Sequence, residues 1–478
     1  NLIEGLQNAG ITLDKHLLHT YTQWSASNQP SMGFWGRWPR YFEEMPLDEH
    51  QIKAAADRCD TALIVIGRAA GESRENTLEP GSYYLTQEEK NLLSRVTATF
   101  RHTVVVINAG SIMDLSWLEN YPIEGALLLW QGGMESGSAA ADVLTGRTDA
   151  CGRLTDTIAY RYEDYPSAKD FLGQDYNFYT EDIYAGHRHF ATFAPEAVQS
   201  PFGFGLSYTT FSLENITVTP HGDKAFVKAT VRNTGSRPGK DVVQVYVEPP
   251  QGKLGKPLRN LVQFQKTHLL QPGEHQTITL PFPLGSAASY DDSGVTGHRS
   301  AWVLEAGDYR IYVGENVRAA SLVGSIPVSE TRVLLQLEET CPPSPLHPFQ
   351  RLVNQNGQKA YEPVPTATRS LKQRILGNLP EEIPFTGDKG ITLQNVALGL
   401  VPLEDFIAQL TPEDLAALSR GDFVMDSSLG TKGNAGTFAG VTERLRQLGV
   451  PAITTTDGPS GIRLQFYTSL LPCGAALA

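Results

Sequence analysis

TALIVIG (61–67), HTVVVINAG (102–110) and GALLLWQGG (125–133) decide the fold. Each carries a short apolar run with no polar alternation, the signature of a strand buried on both faces of a parallel sheet. Between the first two, Thr86 opens a helix, and Glu89 three residues on completes a capping box. Leu92, Leu93 and Val96 give that helix its inner face. After the third, ESGSAAADVLTG (135–146) reads as a small-residue helix ending at Gly146. Strand, helix, strand in this order makes βαβ units and an α/β domain, taken to span residues 1–200. The segment before residue 60 reads as the tail of a preceding unit.

From about residue 205 the apolar period falls from 3.6 to 2. AFVKATVRNTG places Ala225, Val227, Ala229 and Val231 on one face and Lys228, Thr230 and Arg232 on the other. DVVQVYVEP, HQTITLPF and DYRIYVGE repeat the pattern, with turns such as QPGE (271–274) between them. An antiparallel β-sandwich over residues 201–340 follows. CPPSPLHP (341–348) and YEPVPTATR (361–369) are Pro-rich, so residues 341–395 read as an extended linker laid over the surface. Helical patterning returns at LEDFIAQL (403–410) and PEDLAALSRG (412–421), with Gly421 as C-cap. VPAITTTDGPSGIR then reads as a strand running into a turn. The third domain, 396–478, shows a first strand and little else.

The 478 residues are 41% hydrophobic and 19% charged, a globular mix that divides into about three domains. Net charge is −13, so there is no general basic surface for nucleic acid or an anionic membrane. No apolar stretch approaches a membrane span. Cys59, Cys151, Cys341 and Cys473 are widely spaced. They form neither a zinc set nor a disulfide framework, and read as buried free thiols in a reducing compartment. The N-terminus shows no secretion signal. It resembles the middle of a domain, so the chain reads as a fragment of a cytoplasmic protein.

Two carboxylates stand out. Glu72 in GRAAGESREN (67–76) directly follows a buried strand, in the loop where open α/β sheets gather ligands. Gly67 and Gly71 would let the backbone turn tightly and a substrate approach. A solvated loop glutamate is the plainer reading, and Glu75 and Glu79 compete nearby. Asp457 in TTTDGPSGIR (454–463) ends a strand ahead of Gly-Pro, with Arg463 six residues on. Together they would suit neighbouring sugar hydroxyls, one accepting and one donating. A salt-bridged turn is the alternative. WQGGMESG (130–137) and NFYTEDIYAGHRHF (177–190) concentrate aromatics as a sugar platform would, although packing explains them better. His187 and His189 have no helical metal-pair spacing. P-loop, GxGxxG and GxSxG motifs are lacking.

Taken together, these segments resemble glycoside hydrolase family 3, the β-glucosidase family. The matching stretches are GRAAGESREN with LTQEEKNLL, VVVINAG, LLWQGGMESGSAAADVLTG, CGRLTDTIA, EDIYAGHRHF, SPFGFGLSYTTF, VRNTGSRPGKDVVQVYV and TTTDGPSGIR. PFGFGLSYTTF and DGPSGIR are the specific ones. The resemblance implies an α/β sandwich, then a fibronectin type III-like domain, then the start of a (β/α)8 TIM barrel. That is the family's inverted domain order, and TGDKGITL and LEDFIAQLTPEDLAAL resemble the entry to its barrel.

The resemblance also implies a retaining exo-β-glycosidase that releases terminal β-D-glucose from glucosides or cello-oligosaccharides. Glu72 matches the acid/base, and Asp457 and Arg463 match the pair that holds the glycone. The nucleophile belongs to a Ser-Asp-Trp-like motif expected beyond residue 478, and so do the barrel's Lys-His pair and further Arg. By this reading the chain cannot complete the double displacement by itself. GESREN departs from the family's GEG followed by Asp-Arg, which bears on the neighbours of Glu72. No metal or organic cofactor is implied. Partners reduce to a small carbohydrate, with a homodimer left open. β-Xylosidase, or another exo-glycosidase of the family, is the nearest rival; a non-catalytic sugar-binding fragment is the rival from another class.

Overall fold

The computed structural model describes residues 2–477 apart from 32, 34–37, 72–74, 172, 174, 340 and 459. The chain divides into two units, residues 1–131 with 135–368 and 475–478, and residues 132–134 with 369–474.

The first unit opens with three helices, α1 (Leu2–Asn8), α2 (Lys15–Ser27) and α3 (Glu49–Ala56). Strands β1 (Thr61–Arg68), β2 (His102–Ala109) and β3 (Gly125–Leu128) follow, paired in parallel in the order β1-β2-β3. Helix α4 (Gln87–Thr99) joins β1 to β2 and starts with the expected box: Glu89 N–H donates to Thr86 Oγ1 at 3.1 Å, and Thr86 N–H to Glu89 Oε2 at 2.8 Å. Such a cap stabilises a helix by about 1 kcal/mol. Leu92, Leu93 and Val96 pack with Ile64, Ile66, Val105, Ile107 and Trp117. Helix α5 (Ser136–Leu144) lies against α1, where a Cβ on Gly5 would meet the Gly137 carbonyl oxygen at 2.3 Å.

β1 departs from the expectation of burial on both faces. Its residues alternate, and Val65 is 44% exposed. The strand is at the edge of its sheet, and only the Ile64/Ile66 face meets the core. The cysteines also differ from expectation: none of the four is fully buried, and Cys341 is exposed.

A short ribbon, β4 (Ile158–Ala159) with β5 (Val198–Ser200), frames helix α6 (His187–Phe193). The β-sandwich is as the alternation requires. One sheet holds β6 (Phe211–His221), β7 (Lys224–Asn233) and β10 (His275–Pro283). Facing it are β8 (Val242–Glu248), β9 (Asn260–Lys266), β13 (Gly307–Gly314) and β14 (Ser321–Val328). A third sheet contains β11 (Ser289–Asp291), β12 (Ala301–Leu304) and β15 (Arg332–Gln336). Ala225, Val227, Ala229 and Val231 are fully buried. Thr230, on the opposite face, is also covered, because its hydroxyl meets the cross-strand Thr277 hydroxyl at 2.9 Å.

The Pro-rich segment is more than an extended linker. It folds into a hairpin, β16 (Gln350–Gln355) and β17 (Gln358–Pro363), before helix α7 (Leu371–Gly377). Side-chain bonds fix the hairpin in place. Arg351 reaches Asp182, Asp292 and Glu362, and Asn354 N–H donates to Tyr184 Oη at 2.9 Å. Proline content alone cannot register such long-range partners.

EDIYAGHRHF is packing, as its plainer reading holds. His187 stacks on Phe202 with ring centroids 4.4 Å apart, and His189, 2% exposed, sits between Phe190 and Phe193. Burial pushes both imidazoles down to about 4, which keeps them neutral in the folded chain. The unfolded chain protonates them below about 6.5. Stability is therefore complete above that pH and falls as pH drops toward 4, by up to about 3 kcal/mol per histidine. The thermal midpoint of the native chain should drop between pH 7 and 4.5 by clearly more than that of a His187→Phe/His189→Phe chain. Equal drops would place the acid sensitivity elsewhere.

The second unit has short helices α8 (Leu393–Ala397), α9 (Leu403–Ala408), α10 (Pro412–Arg420) and α11 (Glu443–Gln447). Gly421 caps α10 at φ +71°, as expected. Strands β18 (Gly436–Ala439) and β19 (Ala452–Thr455) form an antiparallel ribbon. Barrel strands run parallel, so this pair is not itself a βαβ unit. Among the described residues no helix is long and apolar enough to cross a membrane.

Candidate active site

The carboxyl ends of β1, β2 and β3 bring three loops together. A Cβ on Gly110 would lie 2.5 Å from Ala70 Cβ and 2.7 Å from Gln131 Nε2, so these loops touch through a residue that must lack a side chain. Asn108 Nδ2 donates to the Trp130 carbonyl. Trp130 is buried with φ +53°, a left-handed conformation that costs a non-glycine residue roughly 1–2 kcal/mol.

The loop after β1 is fastened on both sides of Glu72. Arg68, the last residue of β1, forks onto Glu89 at 2.7 and 2.8 Å and also donates to the Ser82 carbonyl at 3.1 Å. Both side chains are buried. Losing one partner of such a pair costs about 3–5 kcal/mol, because the other charge stays buried. Ala69 N–H donates to the Arg40 carbonyl at 2.7 Å, and Arg40 Nη1 returns to the Glu75 carbonyl. Asn76 Nδ2 donates to the Ile112 carbonyl, and its Oδ1 accepts from Ser111 Oγ at 3.1 Å. Glu72 itself lies outside the described residues, with Ser73 and Arg74.

The two competing glutamates are exposed. Glu79 accepts from Thr77 Oγ1 at 3.0 Å, and Glu75 enters the loop's fastening through its backbone. The glycines act differently from expectation. Gly67 and Gly71 are not among the glycines with positive φ. Gly71 is required by contact, because a Cβ there would be 2.6 Å from Trp38 Cζ2.

In the second unit, Asp457 and Arg463 are brought together. Arg463 Nη1 donates to Asp457 Oδ2 at 2.7 Å, Gly458 N–H donates to Oδ1 at 2.7 Å, and Arg463 N–H donates to the Asp457 carbonyl at 2.8 Å. Gly458 and Gly461 make the turn possible, with φ +114° and +142°; a Cβ on Gly458 would strike the Gly461 carbonyl oxygen at 2.1 Å. The side chains of the ion pair are 58% and 61% exposed. An exposed pair contributes little stability, about 0–1 kcal/mol. It leaves carboxylate lone pairs and guanidinium N–H groups pointing at water, ready for a ligand's hydroxyls.

Sequence reasoning missed Arg68, Arg40 and Asn76. The signal for Arg68 was an arginine closing an apolar strand, which demands a buried partner. Arg40 and Asn76 gave no local signal. Among the described residues no group of His, Cys, Asp and Glu could hold a metal ion.

Residues 4–208 match the Glycosyl hydrolase family 3 C-terminal domain, and residues 241–317 match the Fibronectin type III-like domain. The chain belongs to glycoside hydrolase family 3. Over its full length it is 43% identical to a Beta-glucosidase of Ruminococcus albus and 34% identical to Beta-glucosidase A of Butyrivibrio fibrisolvens. It spans 50% of the first and 64% of the second. A beta-glucosidase from Paenibacillus barengoltzii superposes with TM-score 0.94 at 42% identity, over 100% of this chain and 54% of that one. Beta-glucosidase 3B from Thermotoga neapolitana, solved with α-D-glucose, superposes with TM-score 0.64 at 35% identity, over 70% of this chain and 47% of that one.

Proposed function

We propose that this chain supplies the acid/base and the glycone clamp of a retaining β-glucosidase. The observation that carries the reading is the GRAAGESREN loop, held at the carboxyl end of β1 by bonds at residues 69, 75 and 76. Retaining hydrolysis needs two carboxyl groups about 5–5.5 Å apart. One attacks the anomeric carbon. The other protonates the leaving oxygen and later deprotonates water.

In this reading Glu72 is the second of these. A nearby nucleophile carboxylate would raise its pKa and keep it protonated until the glycosidic bond breaks. The nucleophile, an aspartate, comes from barrel sequence outside these 478 residues, and residues 396–478 open that barrel. Asp457 accepts from glycone hydroxyls and Arg463 donates to them. The names of the relatives support glucose as the glycone.

The test is to follow cellobiose and aryl β-glucoside hydrolysis by NMR in the whole enzyme. β-Glucose should appear first and mutarotate later. α-Glucose as first product would exclude retention, and a higher kcat/KM on aryl β-xyloside would replace glucose by xylose.

A further inference from the structure

The loop from residue 163 to 181 and the β16–β17 hairpin enclose a cavity of ≈ 430 Å³, all within the first unit. Glu163, Glu181, Lys169 and Lys359 line it. Among the described residues, none of the four takes a side-chain hydrogen bond or an ion pair. Lys359 has only the Phe193 ring, 6.0 Å away. Tyr361 forms an aromatic wall and is 61% exposed. His189 also lines the cavity; it is 2% exposed, and neither ring nitrogen has a hydrogen-bond partner. Buried polar atoms are almost always satisfied, so an unpartnered imidazole in a cavity wall points to an occupant.

The walls are fixed before anything binds. Leu352 N–H donates to the Thr180 carbonyl at 2.7 Å, which joins the hairpin to the loop. Thr180 Oγ1 donates to Asp170. Arg161 engages Asp164 at 2.6 Å.

The lining selects among ligand classes. Carboxylates outnumber ammonium groups, which disfavours phosphate. No metal-ligand cluster is gathered there among the described residues. An apolar ligand would strip water from four unpaired charges with nothing in return. Hydroxyl groups both donate and accept, so a polyol can satisfy the glutamates and lysines together while its C–H face lies on Tyr361.

From this arrangement we infer that the cavity is a second saccharide-binding site, which takes a neutral pyranose chain and performs no chemistry. The site does not rest on the roles of Glu72 or Asp457. The experiment uses saturation-transfer NMR on the 478-residue chain carrying Asp457→Ala, so that binding at the glycone clamp does not contribute. Cellotetraose should bind, and Tyr361→Ala or a Lys359→Met/Glu181→Gln pair should weaken it about fivefold or more. Tyr361→Trp should retain binding; the position is exposed, so these changes leave the fold intact. Spermidine and inorganic phosphate are run alongside. The proposal falls if cellotetraose gives no signal, if its signal ignores the cavity substitutions, or if only spermidine or phosphate competes for the cavity.

Discussion

Replacing Glu72 by alanine in the whole enzyme is expected to abolish turnover of cellobiose while sparing the first step on a dinitrophenyl glucoside. An unactivated sugar leaving group needs a proton as its bond breaks, and general acid catalysis is worth about 10²–10⁴-fold. A dinitrophenolate leaves without one. Deglycosylation still needs a base to activate water, so the glycosyl-enzyme should accumulate. Azide needs no deprotonation; it should restore turnover and yield β-glucosyl azide. The basic limb of the pH profile should flatten, because that limb reports the acid. Equal losses on both substrates with no azide rescue would move the role to Glu75 or Glu79. Such a result would leave the loop's fastening to Arg40, Arg68 and Ile112 unchanged, since none of those bonds uses the Glu72 side chain.

Asp457→Ala should lower kcat/KM by about 10³ or more, roughly 4 kcal/mol of transition-state stabilisation. The same change should alter the chain's stability by no more than about 1 kcal/mol, because the Asp457–Arg463 pair is exposed. This contrast separates the two readings of the turn. A residue that only braces a turn would lose stability and activity together. A residue that meets substrate hydroxyls in a desolvated site loses far more in catalysis than in folding. Less than a tenfold loss in kcat/KM would reduce Asp457 to a turn residue.

Local pattern was enough for the elements whose cause is local. The Thr86–Glu89 box, the Gly421 cap and the inward face Ala225, Val227, Ala229 and Val231 follow from spacing within a few residues. The same holds for DGPSGIR, whose glycines dictate a turn that brings residues 457 and 463 into contact. Motif and spacing also carried the family.

What the sequence could not carry depends on partners far along the chain. Val65 faces water because β1 is an edge strand, and strand order is not written in the strand. The hairpin at 350–363 arises because Arg351 and Asn354 find Asp292, Asp182 and Tyr184, more than fifty residues away. The frame around Glu72 is likewise tertiary. Arg40, Arg68 and Asn76 reach Glu75, Glu89 and Ile112 only once the strands are parallel and their carboxyl ends adjacent. Periodicity specifies which face of an element is apolar. Which charged group meets which is decided by the packing of those faces, and at the carboxyl ends of β1 and β2 that packing builds the frame around residue 72.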